Sequence, residues 1–156
     1  MENANEVSAA QVSTDEEKLR ILITDDSRML RKKLREELEK FDCEVVEAVN
    51  GKEAITSVLE QEPDGVFMDI VMPVVGGIEA LQFIREVAPD VPVVMLTSMN
   101  TPQKLMKCLK MGAIDFIPKP YNKEQISRTV EKFKKLRAKR LEQANELDDL
   151  GFVEKV

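Results

Sequence analysis

Residues 20–41, RILITDDSRMLRKKLREELEKF, change period midway. Residues 20–24 form a short apolar run with the length and β-branched content of a buried strand. Leu30, Leu34, Leu38 and Phe41 then recur at spacings of four and three, the period of an amphipathic helix, with Ser27 ahead of them as an N-cap. Two adjacent acids, Asp25 and Asp26, lie at the junction. The same strand-to-helix alternation repeats down the chain. Further strands are expected over residues 43–48, 65–70, 91–97 and 113–117.

A second helix follows Asn50-Gly51, with Ala54, Ile55, Val58 and Leu59 on one face. A third starts near Gly77, turns Ile78, Leu81, Ile84 and Val87 inward, and stops before Pro89. The fourth opens at Thr101-Pro102, cap then proline, and ends at Gly112; the fifth opens on the capping-box pair Asn122 and Gln125 and carries Ile126, Val130 and Phe133. Five strands alternating with five helices imply an α/β fold: an open, doubly wound, five-stranded parallel sheet with right-handed crossovers. Such sheets bind ligands at the carboxyl ends of their strands.

Outside this core the composition shifts. Residues 1–18 are polar and acidic without sustained periodicity and read as a flexible leader; residues 19–137 form the domain. Residues 138–156 read as a C-terminal helical extension, in which a basic stretch ending at Arg140 gives way to an acidic one. From the basic stretch starting at Lys132 onward, Phe133, Leu136, Leu141, Ala144, Leu147 and Leu150 keep an imperfect helical stripe until Gly151. That stripe is read either as a solvated continuation of the fifth helix or as a surface packing on a second protomer (a homodimer) or another partner.

The 156 residues carry 23 Lys plus Arg against 29 Asp plus Glu, no His and two Cys. A net charge of −6 gives no footprint for DNA or RNA, which attracts basic patches. Without histidine the chain cannot build a Ser-His-Asp or Cys-His nucleophile or an HExxH zinc site, so imidazole chemistry must come from a partner. Cys43 and Cys108 form no CxxC and read as buried thiols of a reducing compartment. No stretch approaches the roughly 20 apolar residues of a membrane span, and the expectation is a cytoplasmic protein with no membrane insertion.

Four of the five expected strand ends carry chemistry: Asp25 and Asp26 on the first, Asp69 on the third, Thr97-Ser98 on the fourth, Lys119 after the fifth. If all strands are parallel, three carboxylates, a hydroxyl and an ammonium meet on one edge. Such carboxylates repel unless a cation compensates them, and a site of oxygen donors without imidazole or paired thiolates favours a hard ion such as Mg²⁺. A divalent ion facing a lysine and a hydroxyl can neutralise a phosphoryl group in transfer, and an aspartate can accept it as an acyl phosphate.

In these residues the chain resembles a response-regulator receiver domain of the stand-alone, chemotaxis CheY-like type. The resemblance rests on residues 25–28 (DDSR), 68–73 (MDIVMP) with Gly76-Gly77, 96–98 (LTS), Gly112-Ala113 and 116–120 (FIPKP), and it spans residues 20 to about 136. It implies the flavodoxin-like (βα)5 strand order 2-1-3-4-5, with Asp69 as phosphoacceptor. It also implies that Asp26, Asp69 and the backbone carbonyl of Val71 hold Mg²⁺ with support from Asp25, that Thr97 and Lys119 contact the phosphoryl oxygens, and that the Lys-Pro bond is cis. Thr97 and Phe116 would form the switch, read out on the fourth helix, fifth strand and fifth helix by a downstream protein. The implied partners are a histidine kinase as donor and a phosphatase; the domain would catalyse only its own phosphorylation and dephosphorylation and otherwise would not be an enzyme.

The chain departs from the family pattern in places. Met-Pro-x-Met-Asp-Gly becomes Met72-Pro73-Val74-Val75-Gly76-Gly77, an apolar loop. Phe116 lacks a tyrosine's hydroxyl, which favours an inward ring. Val71 and Met99, two residues after Asp69 and Thr97, are apolar and predict slow hydrolysis of a phosphoaspartate. Two other readings stay open. One is a phosphorylation-independent interaction module; the other is an enzyme such as a flavodoxin-like electron carrier or an aspartate-nucleophile phosphatase, which the acids at the first strand end and the lack of a cap domain disfavour.

Overall fold

A computed structural model describes residues 18–98 and 101–151. The leader expected over residues 1–18 therefore lies almost wholly outside the described residues, as do Met99 and residues 152–156. The elements run β1 Leu19–Thr24, α1 Arg28–Glu39, β2 Cys43–Ala48, α2 Gly51–Gln61, β3 Gly65–Asp69, α3 Gly77–Val87, β4 Val93–Thr97, α4 Pro102–Lys110, β5 Asp115–Pro118 and α5 Lys123–Asp149.

All four strand pairings are parallel, and the sheet order is β2-β1-β3-β4-β5. This is the flavodoxin-like order that the resemblance implied. β3 and β4 are buried along their whole length, as strands covered by helices on both faces must be. On one face Leu22, Val66, Met68 and Met95 pack with Ala80, Leu81 and Ile84 of α3 and Val58 of α2. On the other, Ile21, Ile23, Phe67 and Val94 pack with Leu34 and Leu38 of α1 and Ile126, Val130 and Phe133 of α5. Phe67 and Phe133 meet edge to face, with ring centroids 5.5 Å apart.

Local boundaries follow hydrogen bonding. Expected from residue 91, β4 starts at Val93, because Pro92 has no N–H for the ladder. β5 starts at Asp115 and not residue 113, because the Ala113 N–H is committed to the Cys108 carbonyl at 3.0 Å. Ser27 caps α1 through the Leu30 N–H, and the Asn122–Gln125 capping box closes on both sides. Thr101 occupies the N-cap position of α4 but makes no side-chain cap bond, and Pro102 supplies the first turn. Val87, expected inward, is 47% exposed, and Leu59, placed on one face with Ala54, Ile55 and Val58, is 55% exposed. Both lie near the C-terminal ends of their helices.

α5 runs without a break through position 137, so the extension continues the helix that packs on the sheet. No helix among the described residues is long and apolar enough to cross a membrane.

Candidate functional site

Parallel pairing brings the C-terminal ends of β1, β3, β4 and β5 to one edge, and with them Asp25, Asp69, Thr97 and Lys119. Asp25 and Asp69 are buried at 5% and 8% exposure, and Asp26 is exposed beside them. One carboxylate oxygen from each of the three lies within 4.8 Å of the others. Lys119 Nζ donates to Asp25 Oδ2 at 2.7 Å and to Asp69 Oδ2 at 3.2 Å, tying residues 94 and 50 positions away. Sequence reasoning aimed this ammonium at a phosphoryl group; here it spans the gap between two carboxylates. Its backbone N–H donates to the Thr97 carbonyl at 2.7 Å, and the Lys119–Pro120 bond is cis. Thr97 is buried at the end of β4, and Phe116 is half-buried and packs against the cluster that contains Met95 and Ala113.

Electrostatics follow from burial. Desolvation pushes the Asp69 carboxyl above the usual aspartate range; Lys119 opposes this and the Asp25 charge adds to it. Burial alone would lower the Lys119 ammonium, but hydrogen bonds and charges from Asp25 and Asp69 outweigh it and raise its pKa. Asp25 is held firmly: its Oδ1 accepts the Ser27 N–H at 2.8 Å and its carbonyl accepts from Arg31 at 2.8 Å. Arg31 is fixed in turn by Glu47 at 2.9 Å.

Gly77 and Arg31 are two supports that sequence reasoning did not single out for this purpose. A Cβ at Gly77 would sit 1.9 Å from the Asp69 carbonyl oxygen, so only glycine lets α3 begin directly behind Asp69. The glycine at the start of an expected helix was the available signal; for Arg31, which links the adjacent ends of β1 and β2, there was none. The apolar loop also shows its cost. Val74 has φ +68°, in the left-handed region that a β-branched residue avoids, and is 76% exposed. Val71, expected to offer its carbonyl, lies 62% exposed on the same loop.

The donor set fits a hard divalent ion. Three carboxylates converge with no thiolate or imidazole near them, and burial destabilises the charged form of Asp69. A groove of about 850 Å³ opens beside Lys119 between α1 and the start of α5, with Leu30, Glu37, Tyr121 and Ile126 in its lining. Burial, with the charges of Asp25 and Glu37, pushes the Tyr121 phenol up to about 12.

Comparison with known proteins agrees with this geometry. The family model of the response regulator receiver domain matches residues 21–131. The chain is 42% identical over 106 residues to the chemotaxis protein CheY of Halobacterium salinarum, covering 68% of this chain and 88% of that one. Against CheY of Thermotoga maritima it is 38% identical over 118 residues, covering 75% and 96%. It also matches the protein-glutamate methylesterase/protein-glutamine glutaminase of Clostridium acetobutylicum at 36% identity, but spans only 34% of that protein. Among solved structures, the response regulator domain of Thermotoga maritima CheB aligns with a TM-score of 0.66 at 33% identity, covering 76% of this chain and 96% of that one. CheY in the CheX-CheY-BeF3-Mg complex of Borrelia burgdorferi aligns with a TM-score of 0.69 at 30% identity, covering 72% and 86%.

Proposed function

The chain belongs to the response regulator receiver family of two-component signalling, and on that premise we propose that Asp69 is its phosphoacceptor and that a partner histidine kinase is the donor. The observation that carries this reading is the meeting of Asp25, Asp26 and Asp69 with Lys119 Nζ at one sheet edge. An Asp69 oxygen attacks phosphorus, the new O–P bond forms as the donor's N–P bond breaks, and the electron pair leaves with the donor's imidazole. Asp25, Asp26, Asp69 and the Val71 carbonyl would hold Mg²⁺, which when bound supplies charge neutralisation for the transferring group. Lys119 exchanges its carboxylate contacts for phosphoryl oxygens, and Thr97 donates to another of them.

The added negative charge then draws Thr97 inward, and Phe116 follows into the space it leaves. Readout falls on α4, β5 and α5. There Lys104, Met106, Lys107 and Lys110 are exposed, a basic and apolar surface for a downstream protein. Signalling proceeds by protein contact in a chemotaxis-type pathway, and the only reactions catalysed are the domain's own phosphorylation and dephosphorylation. A phosphatase and a second copy of the chain, meeting along the C-terminal extension, complete the partners. Val71, two residues after Asp69, is apolar and offers no hydrogen bond to orient an attacking water, so the phosphoaspartate is long-lived; Val71→Asn is expected to shorten its lifetime.

Incubation with Mg²⁺ and a small acyl phosphate, followed by intact mass, tests the assignment. The wild type gains one phosphoryl group and Asp69→Asn none. Equal labelling of both would overturn it.

A further inference from the structure

α5 carries a charge pattern that the phosphoacceptor site does not use. Its inner face is occupied as far as the domain reaches: Ile126, Val130 and Phe133 are buried, Arg137 donates to the Lys18 carbonyl at 2.9 Å, and Arg140 to the Asp90 carbonyl at 3.0 Å. From Leu141 to Leu150 every residue is exposed. The outer face reads Lys132, Lys135, Lys139, Glu142, Glu146, Asp149, at spacings that alternate between three and four residues. This is one continuous helical stripe over roughly 26 Å, three cations followed by three anions, all exposed.

Within a single copy this order is unfavourable. Lys135 lies one turn from Lys139 and Glu142 one turn from Glu146, and such like-charged neighbours destabilise a helix. Glu146, Asp148 and Asp149 crowd the last turn, where the helix dipole calls for cations, and no basic residue is there. Lys132 approaches Asp115 at 3.4 Å; among the described residues none of the other five stripe members is in an ion pair.

We propose that the occupant of this stripe is a second copy of the chain, the two α5 helices lying antiparallel about a twofold axis between Arg140 and Leu141. That single register sets Lys139 against Glu142 of the second copy, Lys135 against its Glu146 and Lys132 against its Asp149, and repeats each pair by symmetry. A parallel arrangement would oppose like charges at all six positions. The antiparallel one brings lysines to the acidic end of each helix dipole. It also lays Leu150, 69% exposed, beside the aliphatic stems of the other copy's lysines. Exposed ion pairs are individually weak, so the pairing is salt-sensitive and concentration-dependent. It deepens the reading of the extension as a self-contact surface and is independent of Asp69 phosphorylation.

Sedimentation equilibrium of the full chain, with helicity checked by far-UV circular dichroism, decides the matter. The wild type is expected to approach dimer mass in roughly 50 mM salt and monomer mass in roughly 500 mM, across the range where screening becomes strong. K135E/K139E and E142K/E146K are each expected to be monomeric alone, to form a dimer when mixed, and to recover self-association when all four changes share one chain. Two monomeric variants that stay monomeric on mixing would overturn the antiparallel register. Variants that dimerise unchanged would overturn it too while leaving self-association by another face intact, and a wild type that is monomeric in low salt would overturn self-association itself.

Discussion

At the carboxyl edge of the sheet Asp69 shares a small volume with Asp25 and Asp26, and burial lifts its pKa. At the amino edge Asp64 is compensated: it accepts the Arg20 backbone N–H at 2.8 Å and faces the guanidinium groups of Arg137 and Arg140, each at 3.5 Å. One edge concentrates like charge, and the other compensates it. The carboxyl edge also keeps Thr24 Oγ1, a buried hydroxyl with no hydrogen-bond partner among the described residues, and strained Val74 on the adjoining loop. The amino edge binds β1, β3 and α5 together. Destabilising features thus gather where chemistry is proposed, and the opposite rim stabilises the framework that carries them.

Four substitutions break or sharpen this contrast. Gly77→Ala forces a methyl into the Asp69 carbonyl and is expected to cost about 3 kcal/mol in urea unfolding, showing how tightly the carboxyl edge is built. Asp64→Ala leaves the Arg20 backbone N–H without its acceptor and Arg137 and Arg140 without their shared carboxylate, and should cost about 2 kcal/mol, with no loss of acyl phosphate labelling.

Asp69→Asn should do the reverse, abolishing labelling while stabilising the fold by on the order of 1 kcal/mol at neutral pH. Its pH dependence has a definite sign. Because the folded pKa of Asp69 is raised, the wild type's contribution from this group is fully present below the unfolded value near 3.8 and is lost as pH rises through the folded value. The stability gap between variant and wild type should therefore be small in acid and open toward neutrality. Thr24→Val removes a buried hydroxyl that has no partner among the described residues and should stabilise by about 0.5–1 kcal/mol, read as a higher melting temperature.

The sequence made the carboxyl edge legible and left the amino edge hidden. Parallel topology sends every strand's C-terminal end to the same rim, so acids at the ends of residues 20–24 and 65–69 had to meet. Clusters such as Asp64 with Arg137, 73 positions apart, obey no such rule, because each partner alone resembles an ordinary surface charge. β2 was readable to the residue, and β4 only until Pro92 intervened. Burial at helix ends was harder to read: the stripe of α3 predicted Val87 inward, yet it lies half-exposed at the last helical position. The role of Gly77 required knowing where the Asp69 carbonyl lies.

Asp25, Asp26 and Asp69 crowd at the carboxyl edge, and Mg²⁺ binding there should stabilise the fold; melting curves with increasing Mg²⁺ at neutral pH measure this. The wild-type Tm should climb with Mg²⁺, Asp64→Ala should climb by the same amount from a lower start, and Asp69→Asn should start higher and climb little. An Asp69→Asn protein that starts no higher than wild type and gains as much from Mg²⁺ would contradict it.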